Sequence, residues 1–320
     1  MYGGNSSEFE VSVNSGRQVS ANIDKSRYNV YEVLVLGSSW AVQLDCKAVA
    51  EIDKSNFSFT THHGEKVKFD CAFIVIHGTP GEDGLLQSYF EMLDIPYTSC
   101  NAFVSTLTFN KYATKCFLRD SGLKMAKEIY IRKGDKVDPN ELVKELGLPM
   151  FIKPNASGSS YGVSKVKEAS AIKKALEAAF AESDAVLAEA FIQGRELQQG
   201  VFKTAKATYD LPITEILTER EFFDYDAKYN GKSQEITPAD TTPELAQRMT
   251  RQSSQIYDWL DCRGIVRIDY IIHNDDIYFL EINTVPGMSD ASIVPQQLQA
   301  IGMTLSETFT LLIEDTLARK

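Results

Sequence analysis

The chain has 320 residues, 43% apolar and 24% charged, which suits more than one compact unit and excludes a small stapled module or a disordered chain. Forty-four acidic residues against 33 basic ones give a net charge of −11, a field that repels phosphate backbones and argues against nucleic acid as a partner. No apolar run approaches the ~20 residues of a membrane span and the opening MYGGNSSEFE has no signal-peptide pattern, so the reading is a cytoplasmic protein with no membrane partner.

Along residues 1–100, a Gly3-Gly4 pair precedes an amphipathic helix at 11–23. Strand-like runs follow at 31–36 and 71–76, then helical spacing at 85–93. The alternation predicts a parallel α/β unit. A glycine pair that opens a helix ordinarily follows an apolar strand, and only Met1 and Tyr2 precede this one, so one strand is expected to be missing. Residues 101–188 read as a small α+β unit: a helix at 111–121, a strand at 149–153, a Gly/Ser loop at 158–162, a strand at 163–166 and a helix at 169–180. Residues 189–320 read as a second α+β unit, with a polar loop at 224–239, a helix at 243–260, a hairpin at 264–283 and a closing helix. The five cysteines are widely and irregularly spaced and the four histidines do not cluster with them. Reduced structural thiols are expected rather than a zinc or redox site.

The hairpin carries the strongest chemistry. Side chains alternate faces along a strand, so Arg267 and Asp269 share one face, as do Glu281 and Asn283 on the partner. A three-residue loop at 274–276, with His273 opposite Ile277, would set Asp269 across from Glu281 and Arg267 across from Asn283. Two carboxylates at ~5 Å repel by roughly 3 kcal/mol at an effective dielectric of ~20. A hard cation such as Mg²⁺ relieves that repulsion, and so does neutralisation by Arg267 on a solvated face. After the hairpin, Pro286-Gly287 makes either a plain turn or a backbone N–H nest for an oxyanion.

Other stretches have two readings each. FIKPNASGSSYG at 151 places Lys153 in an apolar strand before a loop containing Gly158, Ser159 and Ser160. It is a phosphate cradle or an edge strand with a protective lysine. Lys111 is a second phosphate contact or a solvated helix lysine. HGTPGEDG at 77 follows a strand and opens a helix, where His77 and Glu82 face a substrate or merely cap elements. Glu8 has the same two readings. Glu189 and Glu196 flank a strand connection, as ribose acceptors or as surface acids. The aromatic loop at 222–229 is a lid or is packed on a neighbouring unit.

Taken in order, GGNSSEFEVSVNSG, HGTPGEDG, FIKPNASGSSYGVSKV, EAFIQGRE, EFFDYDAKY, GIVRIDY and LEINTVPGMSDASIVP resemble the D-alanine:D-alanine ligases of the ATP-grasp superfamily over nearly the whole chain. The resemblance implies an ATP-grasp fold with a parallel α/β substrate-binding domain at 1–100, a small central α+β domain at 101–188 and a catalytic α+β domain at 189–320. It implies ATP-dependent ligation of two D-alanines through an acyl phosphate, for peptidoglycan precursors, by a homodimer. Lys111, Lys153 and Lys228 would meet ATP, Gly158 and Ser160 cover its phosphates, and Glu189 and Glu196 hold base and ribose. A pair of Mg²⁺ ions, or Mn²⁺, would sit on Asp269, Glu281 and Asn283. Glu8, Ser159 and Tyr229 would form a link that closes the lid and receives the first ammonium. Arg267 and the Gly287 N–H would bind the oxyanion, with His77, Glu82, Ser292 and Ile293 lining the amino-acid sites. Depsipeptide-forming relatives carry a histidine where this chain has Lys228-Tyr229, so the tyrosine favours an amine acceptor over D-lactate; D-serine stays open. The rival from another class is a nucleotide-binding regulator without catalysis, which retention of Arg267, Asp269 and Glu281 disfavours.

Overall fold

The computed structural model describes residues 1–218 and 233–319. Its first unit contains β1 (Tyr2–Gly3), α1 (Phe9–Asn22), β2 (Glu32–Leu36), β3 (Ser39–Leu44) and β4 (Lys47–Glu51), then a ribbon of β5 (Ser58–Thr60) and β6 (Lys66–Lys68), and α2 (Leu85–Met92). The sheet order is β1-β2-β3-β4. β1 pairs parallel to β2, and an antiparallel meander through β3 and β4 extends the sheet. The strand expected to be missing is not: residues 1–3 occupy its place. The Met1 ammonium donates to Phe73 O at 2.7 Å and Val75 N–H donates to Met1 O at 3.0 Å, opposite the edge that meets β2. Gly3 has φ +100°, and a Cβ there would lie 2.4 Å from Val35 O, so close strand approach needs glycine.

Next come α3 (Ala102–Phe109), α4 (Lys111–Phe117), β7 (Glu128–Arg132), α5 (Pro139–Leu146), β8 (Met150–Pro154), β9 (Ser164–Val166), α6 (Ile172–Glu182) and β10 (Ala185–Ala190). Asn101 and Asn110 cap α3 and α4, each side chain accepting a backbone N–H of the first turn. The antiparallel sheet runs β7-β10-β8-β9, and Ile131, Met150, Ile152, Ile172, Ala179 and Val186 centre its own apolar core.

The last unit holds β11 (Arg195–Lys203), β12 (Thr208–Asp210), β13 (Thr214–Thr218), β14 (Ser233–Ile236), α7 (Pro243–Trp259), β15 (Ile265–His273), β16 (Asp276–Asn283), α8 (Ile293–Ala300) and α9 (Leu305–Ala318). β14 lies inside the stretch expected to be a polar loop; it pairs with β13 at the sheet edge, where a polar strand is tolerated. The sheet order is β14-β13-β11-β15-β16, with β12 also on β11. One core beneath it takes in Cys100, Val104 and Leu118, and a second joins Tyr2, Val19 and Val75 to Phe202, Val294 and Phe309. No helix among the described residues is long and apolar enough to cross a membrane.

Candidate active site

The hairpin of β15 and β16 delivers the expected face by an unexpected route. Its turn has two residues, Asn274 (φ 49°) and Asp275 (φ 64°), so His273 pairs with Asp276 rather than Ile277. That register alone would set Asp269 opposite Leu280. A bulge between Tyr270 and Asp269 shifts the pairing by one, and Asp269 faces Glu281 while Arg267 faces Asn283. The three-residue loop was wrong; the functional pairs are as expected. Ile277, Phe279 and Ile282 are all buried despite the broken alternation, because the extra residue re-phases the strand.

On that face Arg267 forks onto Asp269, Nε to Oδ1 and an Nη to Oδ2, both at 2.8 Å, and Asn283 Nδ2 donates to Asp269 Oδ2 at 3.3 Å. Glu281 Oε2 lies 3.4 Å from Lys111 Nζ, which also donates to Ser157 O at 2.6 Å. Lys111 is thus engaged at the site rather than solvated.

Glu8 stands at the N-terminus of α1, buried, and Ser159 Oγ donates to its Oε1 at 2.6 Å. This contact brings the 158–162 loop of the central unit onto the first unit. A Cβ on Gly158 would sit 2.3 Å from Glu8 Oε2, so glycine is needed for the approach. Ser159 (φ 45°) and Ser160 (φ 59°) both hold left-handed backbone, a conformation that costs about 1 kcal/mol or more for each non-glycine residue and is concentrated at ligand clamps.

His77 is buried beside Ser15 Oγ, 3.2 Å from Nε2, and bonds the Val285 backbone. Burial holds its pKa below the ordinary histidine value, although Glu8 and the Val285 bond pull the other way. Glu82 accepts the Gly78 N–H at 2.6 Å; burial, with Glu8 nearby, pushes its pKa up to about 8. Ser292 begins α8 and its Oγ accepts from Ser289 N–H at 3.1 Å.

Two recesses share a wall. One, about 680 Å³ including space open to solvent, is lined by Glu8, His77, Arg267, Gly287, Ser292 and Ile293 among others. The other, about 340 Å³, is lined by Phe109, Lys111 and Ser157. Glu82, Gly158, Glu281 and Asn283 line both.

Lys153 is on an inner strand, 6% exposed, so the edge-strand reading fails. Its Nζ lies 2.6 Å from Glu189 Oε2, and Lys115 takes the other Glu189 oxygen and Glu128. Glu189 is therefore no surface acid. Burial works against its charge, but Lys115 and Lys153 outweigh that and hold its pKa down at about 2. Glu196 is half-buried and accepts from Gln198 Nε2 at 3.1 Å. Lys228, Tyr229 and the aromatic run 222–229 lie outside the described residues.

A family model described as D-ala D-ala ligase N-terminus matches residues 1–100, and one described as D-ala D-ala ligase C-terminus matches residues 117–314. The chain belongs to the D-alanine–D-alanine ligase family. The D-alanine–D-alanine ligase of Phocaeicola vulgatus is 48% identical over 314 residues, 98% of this chain and 97% of that one. Among solved structures, the VanG D-Ala:D-Ser ligase from Enterococcus faecalis matches with a TM-score of 0.85 at 29% identity, over 98% of this chain and 97% of that one. The D-alanine–D-alanine ligase from Bacillus anthracis complexed with ATP matches with a TM-score of 0.76 at 28% identity, over 99% and 95%. The expected ATP-grasp architecture therefore holds for this ligase-family chain.

Sequence reasoning missed Lys115 and Glu128, which complete the buried ionic group. The available signal was weak: Lys115 lies four residues after Lys111 on the same helix face. Glu128 was invisible without the register that places it directly across from Glu189.

Proposed function

We propose that the protein makes D-alanyl-D-alanine, phosphorylating one D-alanine carboxylate with ATP and letting the amine of the second displace phosphate, in the supply of peptidoglycan precursors. The observation that carries this is the shared wall. Glu281 and Asn283 line both recesses, one with a lysine for polyphosphate and one with carboxylates and an arginine for amino acids. A phosphoryl group passed between them crosses that wall.

Glu8, fixed by Ser159, takes the ammonium of the first D-alanine and aims its carboxylate at the wall. Lys111 and Lys153 receive ATP phosphates, and the loop from Gly158 through Ser160 covers them and keeps water from the acyl phosphate. Glu189 and Glu196 serve base and ribose; each carboxylate oxygen keeps lone pairs beyond those already engaged. Arg267 and the Gly287 N–H stabilise the oxyanion formed when the second amine attacks. Ser292 and Ile293, at the positive start of α8, receive the second carboxylate, and His77 and Glu82 shape the first site. Lys228 and Tyr229 keep their roles as nucleotide contact and lid, on resemblance alone, as do the homodimer and the cytoplasmic setting.

Asp269, Glu281 and Asn283 fit Mg²⁺, or Mn²⁺, by the chemistry of the donor set: hard oxygens at adjoining register positions with no thiol or imidazole among them. Among the described residues no three His, Cys, Asp or Glu side chains gather as a metal cage, which is consistent with an ion that keeps waters and rides on substrate phosphates. When bound, it neutralises charge on the transferring phosphoryl group.

The test is incubation with ATP, Mg²⁺ and single amino acids, following phosphate and dipeptide. D-Alanine is expected to give both. ATP binding with neither product would make the chain a regulator. A preference for mixed D-alanyl-D-serine would put it with the VanG enzyme, whose structure it matches.

A further inference from the structure

Charges alternate along a buried line at the nucleotide end of the site. Glu128 meets Lys115 at 3.0 Å, Lys115 meets Glu189, and Glu189 meets Lys153 at 2.6 Å. The side chains of Lys115, Glu189 and Lys153 are only 3, 5 and 8% exposed. Burial depresses the Lys153 pKa below the ordinary lysine value; Glu189 and Glu281 pull it up and Lys115 lowers it further. The Lys153 ammonium pairs with Glu189 and also feels the charge of Glu281, beside which Lys111 lies at 3.4 Å.

To meet a phosphate, Lys153 must loosen its hold on Glu189. A buried carboxylate abandoned by its partner is strongly unfavourable. Glu189 is not abandoned, because Lys115 holds its other oxygen whichever way Lys153 points. With Lys115 absent, Glu189 would claim Lys153 for itself.

We propose that Lys115 is a positioning residue for ATP: the standing counter-ion of Glu189 that releases Lys153 to the nucleotide phosphates. It touches no substrate and acts only through Glu189. The inference rests on the assignment of Lys153 to ATP in the proposed function. Apparent ATP affinity then scales with the fraction of Lys153 that is free.

The probes are ATP and adenosine, titrated calorimetrically into the full chain. Lys115→Met is expected to raise the Kd for ATP on the order of tenfold, well beyond any change in the Kd for adenosine, which Glu189 also serves, and to leave the KM for D-alanine unchanged. Lys115→Arg, which keeps the charge, should restore ATP binding. In a Glu189→Gln background, Lys115→Met should have no further effect on ATP, since the carboxylate that traps Lys153 is gone. Equal weakening of ATP and adenosine, or a further rise in the ATP Kd in the Glu189→Gln background, would overturn the proposal. The background comparison stands even where Lys115→Met alone does not fold, because the double variant has balanced charge. Lys153→Met separates the two levels. If it leaves ATP binding intact, the phosphate assignment fails; if it weakens ATP while Lys115→Met does not, this inference alone fails.

Discussion

Glu82 and Glu8 share one recess, and burial together with Glu8 keeps a proton on Glu82 up to about pH 8. The unfolded chain loses that proton near the ordinary glutamate value of ~4.3. Between those limits the folded state binds more protons than the unfolded one, so this group's contribution to stability falls as pH rises. Glu82→Gln removes the slope. Urea midpoints for both proteins without ligand at pH 5.5, 7 and 8.5 should show the variant gaining on the wild type by up to a few kcal/mol across the series; a constant difference would contradict the assignment. Residues of this kind were legible because they sit in short motifs: Glu8 after a glycine pair, Glu82 after a strand end, Lys153 before a small-residue loop. Lys115 was not, because its meaning comes from Glu189, 74 positions away in the chain.

At the scale of elements, local sequence fixed the helices better than the strand registers. Asn110 before Lys111 and Thr242-Pro243 mark helix starts through side chains that accept first-turn N–H groups, a signal carried within four residues. The β15–β16 register depends on a turn type and a bulge together, and two compensating one-residue changes gave the expected pairs. The spacing of three between Phe279 and Ile282 was the available hint, since both had to reach the same core. Helix α8 packs Val294 and Leu298 into the shared core and adds one buried polar anchor. Gln297, fully buried, accepts Gly200 N–H at 3.0 Å and donates to Gln198 O at 3.0 Å and Thr214 Oγ1 at 3.1 Å. Gln297→Ala takes this partner from Gly200 N–H and Gln198 O in the buried interior, while Thr214 Oγ1 keeps Thr237 Oγ1 at 2.6 Å; the loss should destabilise by about 2–4 kcal/mol, measured by chemical denaturation. Because Ser292 and Ile293 begin the same helix, KM for the second D-alanine should rise while KM for ATP stays. An equal rise in both would place α8 outside the acceptor site.

The whole molecule has cores that do not follow chain order. Phe309 of α9 is fully buried in a cluster with Tyr2, Val19 and Val75, and its ring meets Phe73 edge-on at 5.2 Å. The first and last units therefore share apolar interior. The central core draws only on residues between 129 and 190; its sheet meets α4 through the Tyr112–Tyr130 stack and the Lys115 ion pairs, and the first unit through polar contacts, Ser159 to Glu8 and Ser7 to Glu182. Large apolar contacts couple units into one cooperative transition and polar ones do not. Scanning calorimetry should thus resolve two transitions in the absence of ligand, the smaller from the central unit. Phe309→Ala removes an aromatic ring from the shared core at about 3–5 kcal/mol. For a unit of roughly 200 residues that lowers the larger transition on the order of 10 °C and leaves the smaller in place. The proposed function puts ATP between the units, so added ATP with Mg²⁺ should draw the two transitions together, since a ligand bound to both stabilises only the state in which both are folded. If Phe309→Ala moves both transitions equally without ligand, the central unit is not independent, and closure over the nucleotide would have to come from the loop alone.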